Sequence, residues 1–324
     1  VYSGVYAPLA IKGHRQGKNI LYCHTPPRFI YDQRSTYLQS IAWCKRPVLM
    51  AMIRALKPRY EQAVQDMDLI LANSLHVQGR IKDYLGFKSE VVYPPVKTKK
   101  FKWLAQEDFY LSTARLDTLK RVDLIIQAFL QMPDKKLVLV SGGREESKLR
   151  RLAGEAKNID FMGWVSDYKL QELLGKCIAS IYIPRDEDFG ISPVESMAAG
   201  KPVIGVQEGG LWETVGDFEQ CVTVNHGLSA GTDQGTLQCR SQTAYTGKQG
   251  VIRQEHVQFE KTIEHQLETE CGILVKPEPQ VQDLIQAVLC MTPKKALEKK
   301  SFCEKRAEFF DSAVFLRKMD EIVF

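Results

Sequence analysis

The stretch IYIPRDEDFGISPVESMAAGKPVIG, residues 181–205, decides the fold. An apolar run ending at Ile183 enters an acidic loop, Asp186, Glu187 and Asp188, then Gly190, a segment of helical length, and a second apolar run from Pro202 to Val206. This is the strand, loop, helix, strand order of a parallel α/β sheet. In open sheets of this kind ligands gather at the carboxyl ends of the strands, where helix N-termini offer free amides and a positive dipole end to phosphate. Gly190 lets the backbone come close to such a ligand. Glu187 on the loop and Glu195 in the first helical turn are then placed to face one crevice. Ser192-Pro193-Val194-Glu195 also reads as a capping box with proline at the first helical position, so Glu195 has two roles open to it. For Glu187 the competing role is that of a solvated loop acid.

The same alternation extends in both directions. Strands are expected at 19–23, 68–72, 90–93, 109–113, 136–141, 159–162, 179–183, 202–206 and 272–275, which predicts a doubly wound architecture. Helices are expected at 74–85, 121–131, 145–156, 167–176, 193–199, 281–289 and 300–324. Pro94 and Pro95 remove two amide donors in VVYPPVKTKKF and place a domain boundary near residue 95. The expected division is an incomplete N-terminal domain over 1–95, a C-terminal domain over 96–300, and a final helix over 301–324 packing back toward the first. A stretch of about 216–270 is rich in Gln, Thr, Ser and Gly and exceeds ordinary loop length, so it reads as an insertion, with one helix at 255–267.

The chain has 324 residues, 44% hydrophobic and 26% charged, the balance of a soluble globular protein of about two domains. Collagen-like, disordered and disulfide-scaffold classes are excluded, and no apolar run approaches the roughly 20 residues of a membrane span. No targeting segment is visible at the start. Eight cysteines show no C-x-x-C pair, which predicts reduced thiols, no structural metal and a cytoplasmic setting. Charge is uneven: residues 1–60 hold ten Lys or Arg against Asp32, net +9, while the remainder holds 34 basic and 38 acidic residues, net −4. A cationic end calls for an anionic partner, and with no nucleic-acid motif present a membrane surface or phosphorylated acceptor fits better. WCKRPVLMAMIRALKP, residues 43–58, has the composition of an interfacial amphipathic helix; a core-packed helix with a basic outer face is the alternative.

EDFGISPVESMAAGKPVIG followed by EGGLWETV, residues 187–205 and 208–215, resembles the E-x7-E region of the family 4 glycosyltransferases, retaining enzymes of the GT-B fold. YCHTPPRFIYD at 22–32, ANS at 72–74, VVYPPV at 91–96, ARLDTLKRVD at 114–123 and FMGWVSD at 161–167 resemble it in the same order, most closely its bacterial O-antigen mannosyltransferase-like members. The resemblance implies two Rossmann-like domains facing a cleft. Relative to it the N-terminal domain is short by several βα units, including an early glycine-rich loop.

By this resemblance Glu187 contacts the donor sugar, the amides of Phe189, Gly190 and Ile191, with Ser192, lie near sugar and pyrophosphate, and Glu195 holds the ribose hydroxyls. Arg115 and Lys120 neutralise the diphosphate, at a strand end where cations stabilise a leaving group; solvated surface charges are the alternative. Gly163 and Val165 border the nucleobase. His24, after the strand at 19–23, is a sugar or acceptor contact, with Arg28 and Asp32 on the acceptor side. The implied reaction is metal-independent, retaining transfer of a hexose, mannose from GDP-mannose foremost and a UDP-sugar second, to a glycan or lipid-linked acceptor in cell-surface polysaccharide synthesis. No cofactor is expected beyond that co-substrate, and the expected location is the cytoplasm, peripheral at the inner face of the plasma membrane. A non-catalytic nucleotide-sugar or surface-binding module is the alternative from another class. An epimerase or a phosphorylase-like enzyme is a third, the latter lacking any motif for a pyridoxal lysine.

Overall fold

The computed structural model describes residues 1–11, 17–216 and 266–323. It contains two sheets. The smaller has the order β1 (Tyr2–Ser3), β2 (Ile20–Cys23), β3 (Leu69–Ala72), β4 (Glu90–Val91), all parallel. The larger comprises β5 (Tyr110–Ser112), β6 (Leu137–Val140), β7 (Ile159–Gly163), β8 (Ser180–Ile181), β9 (Val203–Val206), β10 (Gln266–Thr269) and β11 (Gly272–Val275). Its order is β10-β11-β9-β8-β5-β6-β7, parallel except for β10, which runs antiparallel to β11.

The strands read as continuous apolar runs because helices cover both faces of each sheet. In the smaller sheet successive side chains alternate. Leu21, Cys23, Ile70 and Ala72 pack on Tyr60 and Val64 of the helix Arg46–Gln65 and on Val77 and Ile81 of the helix Leu75–Leu85. Ile20, Tyr22, Leu71 and Val92 face the other way and receive Phe315, Met319 and Ile322 of the helix Ser312–Val323. In the larger sheet the helix Val122–Leu130 presents Val122, Ile125, Ile126 and Phe129 at the i, i+3, i+4, i+7 spacing of a core-facing stripe.

The chain passes between the sheets twice. Val92 packs on the smaller sheet and Val96 beneath the larger, with Pro94 and Pro95 between them. On the return, Val96 N–H donates to Phe310 O at 3.0 Å and Ser312 N–H donates to Val96 O at 3.0 Å, so the two crossings lie side by side.

Several expectations need correction. The C-terminal segment is two helices, Lys300–Glu308 and Ser312–Val323; the first packs in the core of the larger sheet and only the second crosses. Gln266 and Leu267, expected to end a helix inside an insertion, are the start of an edge strand, and residues 255–265 lie outside the described residues. The basic amphipathic segment belongs to a longer helix, Arg46–Gln65, preceded by a short turn Trp43–Lys45. Three short helices, Arg34–Ser40, Leu211–Val215 and Pro293–Glu298, and strand β1 carried no periodicity strong enough to be read. The described cysteines are free, and Cys23, Cys177, Cys271 and Cys303 are buried.

Phe315 is half-buried and meets Tyr22 edge-on with ring centroids 5.7 Å apart. Phe315→Ala should therefore destabilise the chain by about 1–2 kcal/mol, less than a fully buried phenylalanine would. A urea midpoint equal to that of the wild type would show that the returning helix does not hold the smaller sheet.

Candidate active site

Every loop implicated by the sequence leaves the carboxyl end of a parallel strand, so the loops converge between the two sheets. From β8 the chain runs through Asp186 to Gly190 and into the helix Ile191–Ala198. That helix is capped by Gly190 in the left-handed region, φ +92°, with no side-chain cap. The capping box at Ser192 is therefore not formed: Ser192 lies within the first turn, and Glu195 makes no return bond to it. The glycine is required here because only a residue without Cβ adopts this φ at low cost.

The loop from β5 brings up Lys120 through a short turn, Thr118–Lys120, whose N-cap Asp117 accepts from Leu119 N–H at 3.1 Å. Lys120 Nζ lies 2.5 Å from Glu187 Oε2 and 2.9 Å from Tyr182 Oη. Both partners of this ion pair are largely shielded, Lys120 13% and Glu187 22% exposed at the side chain. Tyr182 is held neutral well beyond the ordinary phenol range, first by burial and then by the Glu187 charge. Arg115 is 71% exposed and reaches only Asp117, at 3.9 Å, although its charge is felt at Tyr182.

Glu187 is also supported from below. Gly210 N–H donates to Glu187 O at 2.7 Å, and a Cβ on Gly209 would stand 2.2 Å from that same oxygen. The two glycines of Glu208-Gly209-Gly210 thus let the β9 loop lie directly against the Glu187 backbone. Glu208 in turn pairs with buried Arg121 at 2.8 Å and accepts from Asp186 N–H at 3.3 Å.

Glu195 sits apart from this pair. It is half-buried, its carboxylate has no hydrogen-bonding partner among the described residues, and its charged neighbour is Asp167, at the end of the loop that leaves β7 through Gly163 and Val165. Gly163 turns at φ +64° and its carbonyl accepts from Ser141 N–H at 2.8 Å. Val165 packs partly into the core, whereas Trp164 is 77% exposed beside Gly142. Phe189 is buried against Tyr93 and Phe310, and Ile191 is exposed.

On the smaller sheet, His24 follows β2, is exposed, and exchanges a 3.0 Å hydrogen bond with Ser3 Oγ. Partial burial of its ring lowers its pKa. Arg28 and Asp32 do not stand free for an acceptor: they pair with each other at 3.0 Å, and Arg28 crosses to Asp186 at 2.5 Å. No sequence motif assigns a role to His76 and Arg80, one turn apart on the helix Leu75–Leu85, yet both reach across the cleft. His76 Nε2 lies 2.9 Å from Asp186, and Arg80 lies 2.5 Å from Asp186 and 2.6 Å from Asp188. The signal was present: Arg80 falls within the buried stripe Val77, Arg80, Ile81, where a guanidinium needs a partner. Glu213, also unassigned, accepts from Leu75 and His76 N–H at 2.6 and 2.7 Å, capping that helix from the opposite sheet.

Burial would raise the Asp186 carboxyl, but the His76 hydrogen bond and the Arg80 and Arg28 charges outweigh it and bring it down to about 2. Asp188 is buried more deeply, and there desolvation wins over Arg80 and raises the carboxyl. Glu213 is pushed up to about 7, by burial against the opposing pull of the two amides. Among the described residues no group of three or more His, Cys, Asp or Glu is arranged to hold a metal ion.

Burial, with Asp167 adding, pushes Glu195 up to about 7 from an ordinary 4.5. Across that window the folded chain keeps a proton that the unfolded chain releases, so this group's contribution to stability is present at low pH and is lost as pH rises toward 7. Glu195→Gln should stabilise the chain by on the order of 2 kcal/mol at pH 8 and by much less at pH 5. Equal effects in denaturant unfolding at the two pH values would contradict this placement.

Residues 96–231 match the family described as glycosyl transferases group 1. The alpha-1,3/1,6-mannosyltransferase ALG2 of Saccharomyces cerevisiae is 25% identical over 296 residues, covering 75% of this chain and 56% of that protein. The chain spans just over half the length of the curated ALG2 relatives it matches. Among solved structures, sucrose-phosphate synthase (tll1590) from Thermosynechococcus elongatus superposes with TM-score 0.66 at 17% identity, over 99% of this chain and 71% of that one. Anabaena Alr3699/HepE, in complex with UDP and glucose, superposes with TM-score 0.60 at 16% identity, over 94% and 70%. Motif order, sheet topology and sequence match agree: over residues 96–231 the chain is similar to the group 1 glycosyltransferases, and it shares the GT-B fold.

Proposed function

We propose that the chain transfers a hexose, mannose from GDP-mannose in the first place, to a hydroxyl of a lipid-linked glycan with retention of anomeric configuration. The observation that carries this reading is the Lys120–Glu187 pair, 2.5 Å long, beside the N-terminus of the helix Ile191–Ala198. A cation, a carboxylate and a set of first-turn amides at the carboxyl ends of two neighbouring strands match the three needs of a sugar diphosphate: charge on phosphate, a hydrogen-bond acceptor for sugar hydroxyls, and donors for phosphate oxygens. The mannosyl preference and the lipid-linked acceptor rest on the ALG2 likeness, and the UDP-bound neighbour supports a nucleotide-sugar donor more generally.

In this reading the diphosphate binds between Lys120, Arg115 and the amides of Phe189, Gly190 and Ile191, with Ser192 in the same turn. Lys120 then shares its charge between phosphate and Glu187, and Glu187 accepts from the sugar hydroxyls. Glu195 takes the ribose hydroxyls, with Gly163 and Val165 at the nucleobase. The C1–O bond to phosphate breaks with its electron pair going to the diphosphate, whose charge Lys120, Arg115 and the amides stabilise. The acceptor oxygen attacks C1 from the same face, and its proton passes to the departing phosphate oxygen. His24 borders the sugar from the opposite sheet. The division of labour follows the two sheets: residues up to about 95 on the acceptor side, and the larger sheet for the donor.

A membrane-facing role for residues 43–58 is an attached reading, favoured by one observation. Between residues 46 and 59 only Ile53 is buried, while Trp43, Val48 and Met52 are 80%, 62% and 60% exposed among Lys45, Arg46, Arg54 and Lys57. A core-packed helix would hide those apolar groups; an anionic interface receives both kinds. Among the described residues no helix is long and apolar enough to cross a membrane.

Two measurements test these readings. Glu187→Ala and Lys120→Ala should each lower nucleoside diphosphate release from GDP-mannose by about 100-fold or more; near-normal turnover in both would overturn the site assignment. Replacing Lys45, Arg46, Arg54 and Lys57 by Gln should lower partition onto phosphatidylglycerol vesicles by about 100-fold or more, given about 1 kcal/mol per basic residue near the surface. Partition that survives the replacement would remove the electrostatic docking.

A further inference from the structure

Glu187 stands between two other acids, and the structure separates what each one meets. Asp186 and Asp188 are engaged by the opposite sheet, while Glu187 alone faces Lys120. One side chain holds both flanking acids: Arg80 places one guanidinium nitrogen 2.5 Å from Asp186 Oδ2 and the other 2.6 Å from Asp188 Oδ1. Its side chain is only 7% exposed, and a further hydrogen bond to Thr25 Oγ1 at 3.2 Å fixes it on its own side of the cleft. We propose that Arg80 is the positioning residue that sets the Glu187 carboxylate for transfer, by gripping the residues before and after it from the opposite sheet. This rests on the transferase reading above and adds to it a residue that never touches the donor.

Three arguments carry it. A planar guanidinium fixes two carboxylates in direction as well as distance, which a point charge does not. Asp186 has φ +53°, a left-handed conformation costly for most residues with a Cβ, less so for aspartate, and one that surrounding contacts can hold. Here they do: Arg80, Arg28 and His76 all meet its carboxylate. Finally, three successive acids repel one another, and without Arg80 Asp188 loses the ion pair that holds it while Asp186 keeps only Arg28 and His76. The grip also makes the assembled state of Glu187 depend on the two sheets being closed on each other. In the transferase reading the nucleotide contacts lie on the larger sheet alone, so binding of the donor should survive loss of Arg80 while turnover should not.

The test compares wild type with Arg80→Met, Arg80→Lys and Asp186→Asn, the last reporting the same contact from a partly exposed position. In Arg80→Met and Asp186→Asn, amide exchange in residues 184–190 should accelerate by about ten-fold or more, a loss of local protection. Nucleoside diphosphate release from GDP-mannose should show kcat lower by about ten-fold or more, with donor KM within about three-fold of wild type. Arg80→Lys should recover part of kcat, because charge is kept and the fork is lost. Exchange at 184–190 unchanged in both Arg80→Met and Asp186→Asn would overturn the proposal, as would a raised KM at unchanged kcat. A wild-type chain that releases no nucleoside diphosphate, yet whose 184–190 amides depend on Arg80, would remove the transferase reading and leave the anchoring in place.

Discussion

Three carboxylates on the side of the larger sheet, Asp186 and Asp188 on the β8 loop and Glu213 in the helix Leu211–Val215, close on a single helix of the smaller sheet, Leu75–Leu85. The contact depends on that helix's polarity and sequence together. Its N-terminus offers Leu75 and His76 amides to Glu213, and its side presents His76 and Arg80 one turn apart to the two aspartates. Anions at a helix N-terminus are favourable, and buried guanidinium pairs are tolerated only when every partner is present. Glu187 is adjacent to two of these acids and tied to the β9 loop through Gly210, so its direction follows from the closure of the sheets.

Much of this was legible in the sequence. Each of the nine expected strands appears, because strands buried on both faces leave continuous apolar runs bounded by glycine, proline and charge. Helices with a full apolar stripe were legible from its i, i+3, i+4, i+7 spacing, Val122–Leu130 above all. Short helices and a two-residue strand were not, since they lack two full turns or an alternating pair to show a period. The helix start at Ile191 was misplaced because Ser-Pro-x-Glu is a sound local capping signal, and the tertiary demand for a left-handed residue at Gly190 overrode it.

The site divides the same way. Glu187 and Lys120 were legible as motif residues at strand ends, and the structure brings them into one ion pair. His76, Arg80, Asp186 and Glu213 act across more than a hundred residues of sequence, and no local spacing encodes such a partnership. What the sequence does contain is an arginine in a buried stripe, a demand for a partner without the partner's identity. Arg28 and Asp32 show the converse: a plausible pair for an acceptor, already engaged by each other and by Asp186. Glu213 carries an energetic cost in this arrangement, desolvated and pushed up to about 7, and Glu195, apart from it, is raised to a similar value by its own burial.

The most direct test of the donor cleft is thermal unfolding of the chain with GDP, UDP and ADP at matched concentrations, alongside Lys120→Ala. A ligand that binds only the folded state stabilises it by about 2.7 kcal/mol at a hundred-fold excess over its dissociation constant. The account predicts a rise in Tm that is largest with GDP and lost in Lys120→Ala. No rise with any of the three nucleotides would contradict it, and a rise indifferent to Lys120 would place the nucleotide elsewhere.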